Sequence, residues 1–141
     1  MKRVSGFTMI EVVAVMFILT ALALVAVPVG RGALTHRQER EFMERIVEEW
    51  EMLKMKARSD HVDGNLHVEG SERRVKFTTI NGTIKILQFP PSLEFDGDAT
   101  LVCNHRGKIK QGGSLNFKHK GKLSWLVSFQ LGWGRTVFTK K

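Results

Sequence analysis

Acidic side chains are missing from the C-terminal stretch of this 141-residue chain. Between Ala99 and Lys141 there are nine Lys or Arg residues and no Asp or Glu, within a formal net charge of +8. Cysteine occurs once, at Cys103. That excludes an intramolecular disulfide and leaves a small buried thiol as the expectation, with a bridge to another subunit as the alternative. Catalytic arrangements are missing as well. The five histidines (His36, His61, His67, His105, His119) are scattered, with no His-Glu-x-x-His helix among them. Cys103-x-His105 offers two metal ligands but no second pair at suitable spacing. Gly112-Gly113 lacks the context of a phosphate loop, and no serine lies in a nucleophile elbow. Internal repeats and low-complexity segments are absent. The expectation is a protein that is not an enzyme, with no metal and no cofactor.

Charge is also missing from Val12 to Val29, where Thr20 is the only conventionally polar side chain. Counted from Phe7, this run is long enough, at about 1.5 Å per helical residue, to cross a hydrocarbon core of about 30 Å. Glu11 sits near its start. An unpaired acid in hydrocarbon costs roughly 2.5–3.5 kcal/mol on insertion scales, so it needs a partner. If the chain is cut after Gly6, Phe7 gains a free α-amine four residues before Glu11, over the same helix face. That amine can pair with its own Glu11 or with the Glu11 of a neighbouring subunit, and the second arrangement would set subunit register. An ordinary secretory signal is the competing reading, and Ala21-Leu22-Ala23 satisfies a loose cleavage pattern. The six-residue basic leader and the long apolar run argue against it.

Lys2-Arg3-Val4-Ser5-Gly6 followed by Phe7-Thr8-Met9-Ile10-Glu11-Val12-Val13 resembles the class III leader of type IV prepilins and pseudopilins. The resemblance implies cleavage between Gly6 and Phe7 by a prepilin peptidase, and N-methylation of Phe7. It also implies that Glu11 is the assembly residue and that Pro28 is the helix-kinking proline. Lys2 and Arg3 favour a cytoplasmic N-terminus, whereas Arg31, Arg37 and Arg40 blunt the asymmetry. The resemblance implies a single pass through the cell membrane, an outward-facing C-terminal head, and a place at the cell surface or wall after assembly.

Beyond the membrane run, Phe42, Met43, Ile46, Val47, Trp50, Leu53 and Ala57 recur at three- and four-residue steps and form one apolar stripe. The charged faces of this segment, with six glutamates between Glu39 and Glu51, read as solvated surface. The spacing predicts one long helix from near Phe7 to about Arg58, bent near Pro28 and weakened at Gly30 and Gly32. Asp63-Gly64-Asn65 breaks the pattern. Val75 to Ile80 and Thr83 to Phe89 flank Asn81-Gly82 as a hairpin. Short strands are predicted at Leu93 to Phe95 and Thr100 to Cys103, with a turn at Arg106-Gly107. Leu123, Trp125, Val127, Phe129 and Leu131 alternate as a half-buried antiparallel strand covered by the helix stripe. A last strand is predicted over Arg135 to Thr139. The expected fold is α+β: a leader (1–6), a transmembrane half-helix (7–29), an amphipathic half-helix (30–58) and a small antiparallel β-rich head (59–141).

Asn104-His105-Arg106-Gly107-Lys108-Ile109, Gly112-Gly113-Ser114-Leu115 and Gly132-Trp133-Gly134-Arg135 resemble the heads of minor pseudopilins of the GspH/FimT type. Among these they are most similar to the ComGD-type subunit of Gram-positive competence systems. That resemblance implies a filament for uptake of transforming DNA, with other major and minor pseudopilins, the prepilin peptidase and the membrane as partners. Lys108, Lys110, Lys118, Lys120, Lys122 and Arg135, with Trp133, are candidate contacts to double-stranded DNA or another anion. A minor pseudopilin of type II secretion and a membrane-anchored DNA- or wall-binding module are the alternatives.

Overall fold

The computed structural model describes residues 8–131 and 136–141; within its helix, the side chains of residues 25–31 lie outside the description. One helix, α1 (Met9–Ser59), precedes eight strands. These are β1 (Gly64–Glu69), β2 (Arg74–Thr79), β3 (Gly82–Gln88), β4 (Leu93–Glu94), β5 (Asp98–Cys103), β6 (Gly113–His119), β7 (Lys122–Phe129) and β8 (Thr136–Lys140). They form two four-stranded antiparallel sheets, ordered β3-β2-β1-β5 and β4-β6-β7-β8. The architecture is α+β. The chain divides into two compact units, Met1–Arg37 and Gln38–Lys141, and the second takes in the helix from Gln38 onward. The kink expected at Pro28 falls on a residue whose side chain is outside the described set.

The core of the second unit follows the apolar periodicities. Phe42, Met43, Ile46, Trp50, Leu53 and Ala57, spaced three and four apart on α1, are all buried. Facing them are Leu66, Val68, Val75, Phe77 and Leu101 of the first sheet, and Leu115, Phe117, Trp125, Val127 and Phe129 of the second. Phe42, Phe89 and Phe117 meet edge to face with centroids 5.6–5.9 Å apart, and Trp50 meets Phe129 at 5.4 Å. Such pairs add roughly 0.5–1.5 kcal/mol each beyond the area they bury.

Several expectations change in detail. β1 begins on Gly64 and Asn65, residues expected only to break the helical pattern. Gly64 is required there by close approach, since a Cβ would lie 2.9 Å from both Leu53 and the Cys103 sulfur. The β2–β3 hairpin pairs Thr79 with Gly82, so its two-residue loop is Ile80-Asn81 rather than Asn81-Gly82. On β7 the alternation holds at Trp125, Val127 and Phe129 but fails at its ends, where Leu123 is 43% and Leu131 68% exposed. The pairing passes from Phe117–Trp125 to Lys118–Leu123, so Ser124 is the extra residue of a bulge. A bulge re-aims the side chains beyond it, and Leu123 leaves the core face.

Cys103 is fully buried, as expected of a small buried thiol. Burial pushes its thiol above the ordinary range.

Candidate functional site

The N-terminal helix begins at Met9 because Thr8 caps it. The Thr8 hydroxyl and carbonyl both accept from the Glu11 backbone N–H, at 3.4 and 3.1 Å. Thr8-x-x-Glu11 is therefore half of a capping box, and it places the Glu11 carboxylate in the first turn, where the helix dipole favours negative charge. The sequence carries that signal at Thr8, which the prepilin-like motif overshadowed. Thr20 donates to the Met16 carbonyl at 2.8 Å, so the only hydroxyl of the apolar run past the cap is satisfied within its own helix.

Apolar side chains are exposed all round this segment. Met9 is 85%, Ile10 78%, Phe17 76% and Leu24 74% exposed, with Val13, Met16, Leu19 and Leu22 on the faces between. Contiguous apolar surface of this kind marks a membrane or protein interaction. Among the described residues no helix is long and apolar enough to cross a membrane. Gly6 and Phe7, the expected cleavage and methylation positions, lie outside the described residues.

In the second unit, the helix face expected to be solvated hides one acid. Glu39 is 4% exposed. Its carboxylate accepts from Trp125 Nε1–H at 2.9 Å and meets His119 Nδ1 at 2.7 Å. Burial alone would raise its pKa, but the hydrogen bonds from Trp125 and His119, the proximity of Ser92 and the charge of His119 hold it below its ordinary value of 4.5. Ser92 Oγ leans toward the carboxylate without reaching hydrogen-bond geometry. Nothing in the local sequence separates Glu39 from the five glutamates after it. Its partners lie about eighty residues away, on β6 and β7.

The candidate anion-binding residues divide between two ends of β6. Lys118, Lys120 and Lys122 occupy the β6–β7 hairpin, where Lys118 pairs with Asp96. Lys108 and Lys110 lie in the β5–β6 connection, and Lys110 Nζ meets Asp63 at 2.6 Å. Gly113 and His119 stand at opposite ends of the seven-residue β6, at about 3.3 Å of rise per residue, so the lysines do not form one patch. Trp133 and Arg135 lie outside the described residues. Asp63 also accepts the His105 backbone N–H at 2.9 Å, and Lys110, through its hydrogen bond, is the first cause that holds its carboxyl below the usual range. Among the described residues no three His, Cys, Asp or Glu side chains gather in a way that could hold a metal.

The first unit carries a capped helix with apolar side chains exposed on every face, and the second is an α+β head. Residues 1–27 match the family model described as the prokaryotic N-terminal methylation motif. The chain thus carries a type IV prepilin-like leader, which implies processing by a prepilin peptidase and assembly with other pilin-type subunits. Nothing matches it among the curated proteins or among the solved structures.

Proposed function

We propose that this chain is a minor pseudopilin, a structural subunit rather than an enzyme, of a type IV pilus-like competence pseudopilus serving uptake of transforming DNA. The observation that carries the reading is the methylation motif over residues 1–27, continued by a helix with apolar side chains exposed all round and one early acid, Glu11. Cut after Gly6 and methylated on Phe7, the precursor holds its Phe7–Val29 run in the cell membrane with the head outside. Assembly moves that run from lipid into a bundle of neighbouring helices, a transfer between two apolar surroundings. The register is then decided by the polar pair: Glu11 meets a neighbour's Phe7 amine, and a subunit docked out of step leaves both charges unpaired.

The competence assignment rests on the ComGD-type resemblance of the tail, the GspH/FimT-like head motifs and the acid-free basic stretch from Ala99 to Lys141. The test is transformation frequency in a strain lacking the gene, complemented with the full chain or with Glu11→Ala. Rescue by the full chain alone supports the reading. Normal transformation without the gene overturns it in favour of a type II secretion filament, to be followed by measuring exoprotein export. Rescue by both forms points to a membrane-anchored binding module that does not assemble.

A further inference from the structure

At the C-terminal end of α1, a cleft of about 450 Å³ is lined by Arg58, His61, His105, Arg106 and Lys108. Every lining side chain is a cation or an imidazole, and they come from two separate segments of chain. We infer that this cleft binds the phosphodiester backbone of a nucleic acid. The inference deepens the uptake reading by naming the contact, and it moves that contact away from the hairpin lysines.

The cleft is built rather than accidental. Asn104 Oδ1 accepts the backbone N–H groups of Arg106 and Lys108, each at 3.0 Å, and the Asn104 carbonyl accepts from Gly107 at 2.7 Å. This winds residues 104–108 into a tight loop. Gly107, at φ +71°, packs against α1, where a Cβ would lie 3.0 Å from the Arg58 guanidinium and 3.1 Å from the Lys54 carbonyl. Asp63 tethers the same loop through the His105 N–H. On the helix side, Val62 N–H bonds back to the Ala57 carbonyl at 3.0 Å, the closing bond of a Schellman turn. The left-handed residue of that turn is ordinarily glycine, and here it is His61 at φ +54°. A non-glycine residue in that conformation costs about 1–2 kcal/mol, and the chain bears that cost to set an imidazole on the cleft wall.

The charge balance favours an anion. The helix C-terminus contributes roughly half a negative charge. Arg58, Arg106 and Lys108 place three permanent cations on the lining; the acid Asp63, 4.0 Å from His105 Nδ1, is met by Lys110 at 2.6 Å. Two guanidiniums supply planar pairs of donors suited to phosphate oxygens. The cleft is open at the surface, so an internal phosphate of a continuous strand can enter it without a free end. Repeated phosphates along such a strand also suit a site that gains affinity by counterion release rather than by enclosure.

The test is fluorescence anisotropy with a labelled short DNA duplex and the full chain in neutral detergent, titrated at several salt concentrations between about 50 and 200 mM. Arg58→Gln and Arg106→Gln should each weaken binding about three- to tenfold and lower the log–log salt slope by about one, while Arg40→Gln stays within about twofold. Thermal melting of each variant confirms that it is folded, and Arg106→Gln, on the exposed loop tip, is informative if Arg58→Gln unfolds. The inference is overturned if Arg106→Gln binds with unchanged affinity and slope. Loss on Lys118→Gln/Lys122→Gln instead of Arg106→Gln also overturns it. So does displacement of the duplex by inorganic phosphate or poly(glycerol phosphate) as readily as by unlabelled duplex. Transformation frequency is read separately, so purified-protein binding can fail while the filament reading stands, and the reverse.

Discussion

The carboxylate of Glu39 and the indole of Trp125 form a buried hydrogen bond of 2.9 Å that ties α1 to β7 across 86 positions of sequence. Leaving the Trp125 N–H unpaired inside the head costs about 1–3 kcal/mol. Glu39→Ala should therefore destabilise the head by about that amount, with a further loss from the unmet His119. Glu39→Gln keeps an acceptor for Trp125 and should lose less. Urea denaturation followed by tryptophan fluorescence separates the two variants. Equal midpoints for Ala and Gln would sink the idea that the acceptor matters.

The same acid makes the head sensitive to low pH. Its folded pKa lies below the ordinary 4.5, so the unfolded chain takes up a proton first as pH falls. The stabilisation is present above 4.5 and is lost as pH drops from there through the lower folded value. Melting temperature should decline across that acidic window, and Glu39→Gln should flatten part of the decline. Asp63 and Glu69, also held below their ordinary values by hydrogen-bonded lysines, contribute in the same direction from more exposed positions.

Arg73 fixes the passage between the two sheets. Its Nη2 shares two N–H donors among the carbonyls of Pro90, Pro91 and Leu93 at 3.0–3.1 Å, while its own carbonyl accepts from Phe89. Hydrogen bonds from a charged donor are worth about 1.5–3 kcal/mol, reduced here by partial exposure. Arg73→Ala should lower stability by about 1–2 kcal/mol, and Arg73→Lys should recover part of it, because all three carbonyls are met by the single nitrogen Nη2 and an ammonium also carries three N–H donors. Amide exchange at Leu93 and Glu94, on β4, should accelerate before that of β6. Unchanged exchange there would count against the argument.

Gly64→Ala should cost about 1–3 kcal/mol through overpacking against Leu53 and Cys103. Leu53→Ala in the same background should return part of that loss, because it removes one of the two obstructing side chains. A double-mutant cycle by thermal melting measures the coupling.

Glu11→Ala should abolish filament assembly, while Glu11→Gln should retain a fraction through hydrogen bonding to the neighbour's amine. Filament yield after surface shearing is the readout, with membrane levels of the subunit as the control. Wild-type yield from Glu11→Ala would remove Glu11 from the register argument.

Local pattern and remote pairing divide what was readable in advance. The stripe from Phe42 to Ala57 and the existence of the β2–β3 hairpin are set by neighbours three, four or two residues away and were legible, although the hairpin turns at Ile80-Asn81, one residue before the expected Asn81-Gly82. Residues whose role depends on a remote partner were not. Gly64 and Asn65 read only as a break in the helical pattern because nothing nearby shows that Leu53 and Cys103 crowd the position. Glu39 read as surface because Trp125 and His119 lie far along the chain. Leu123 read as core because the bulge at Ser124 leaves no mark on an alternating pattern. The lysines read as one cluster because sequence proximity does not show that β6 separates its two ends, nor that Arg58 and His61 come round to meet Arg106.

The sealed position of Cys103 has a practical consequence. A buried thiol with a raised pKa is a poor nucleophile, so alkylating dyes and cross-linkers in solution find no native target while the head is folded. Any single cysteine introduced on the surface becomes a unique chemical handle without prior removal of Cys103. Neighbour contacts in an assembled filament can then be mapped one position at a time, and sudden labelling of Cys103 itself reports that the head has opened.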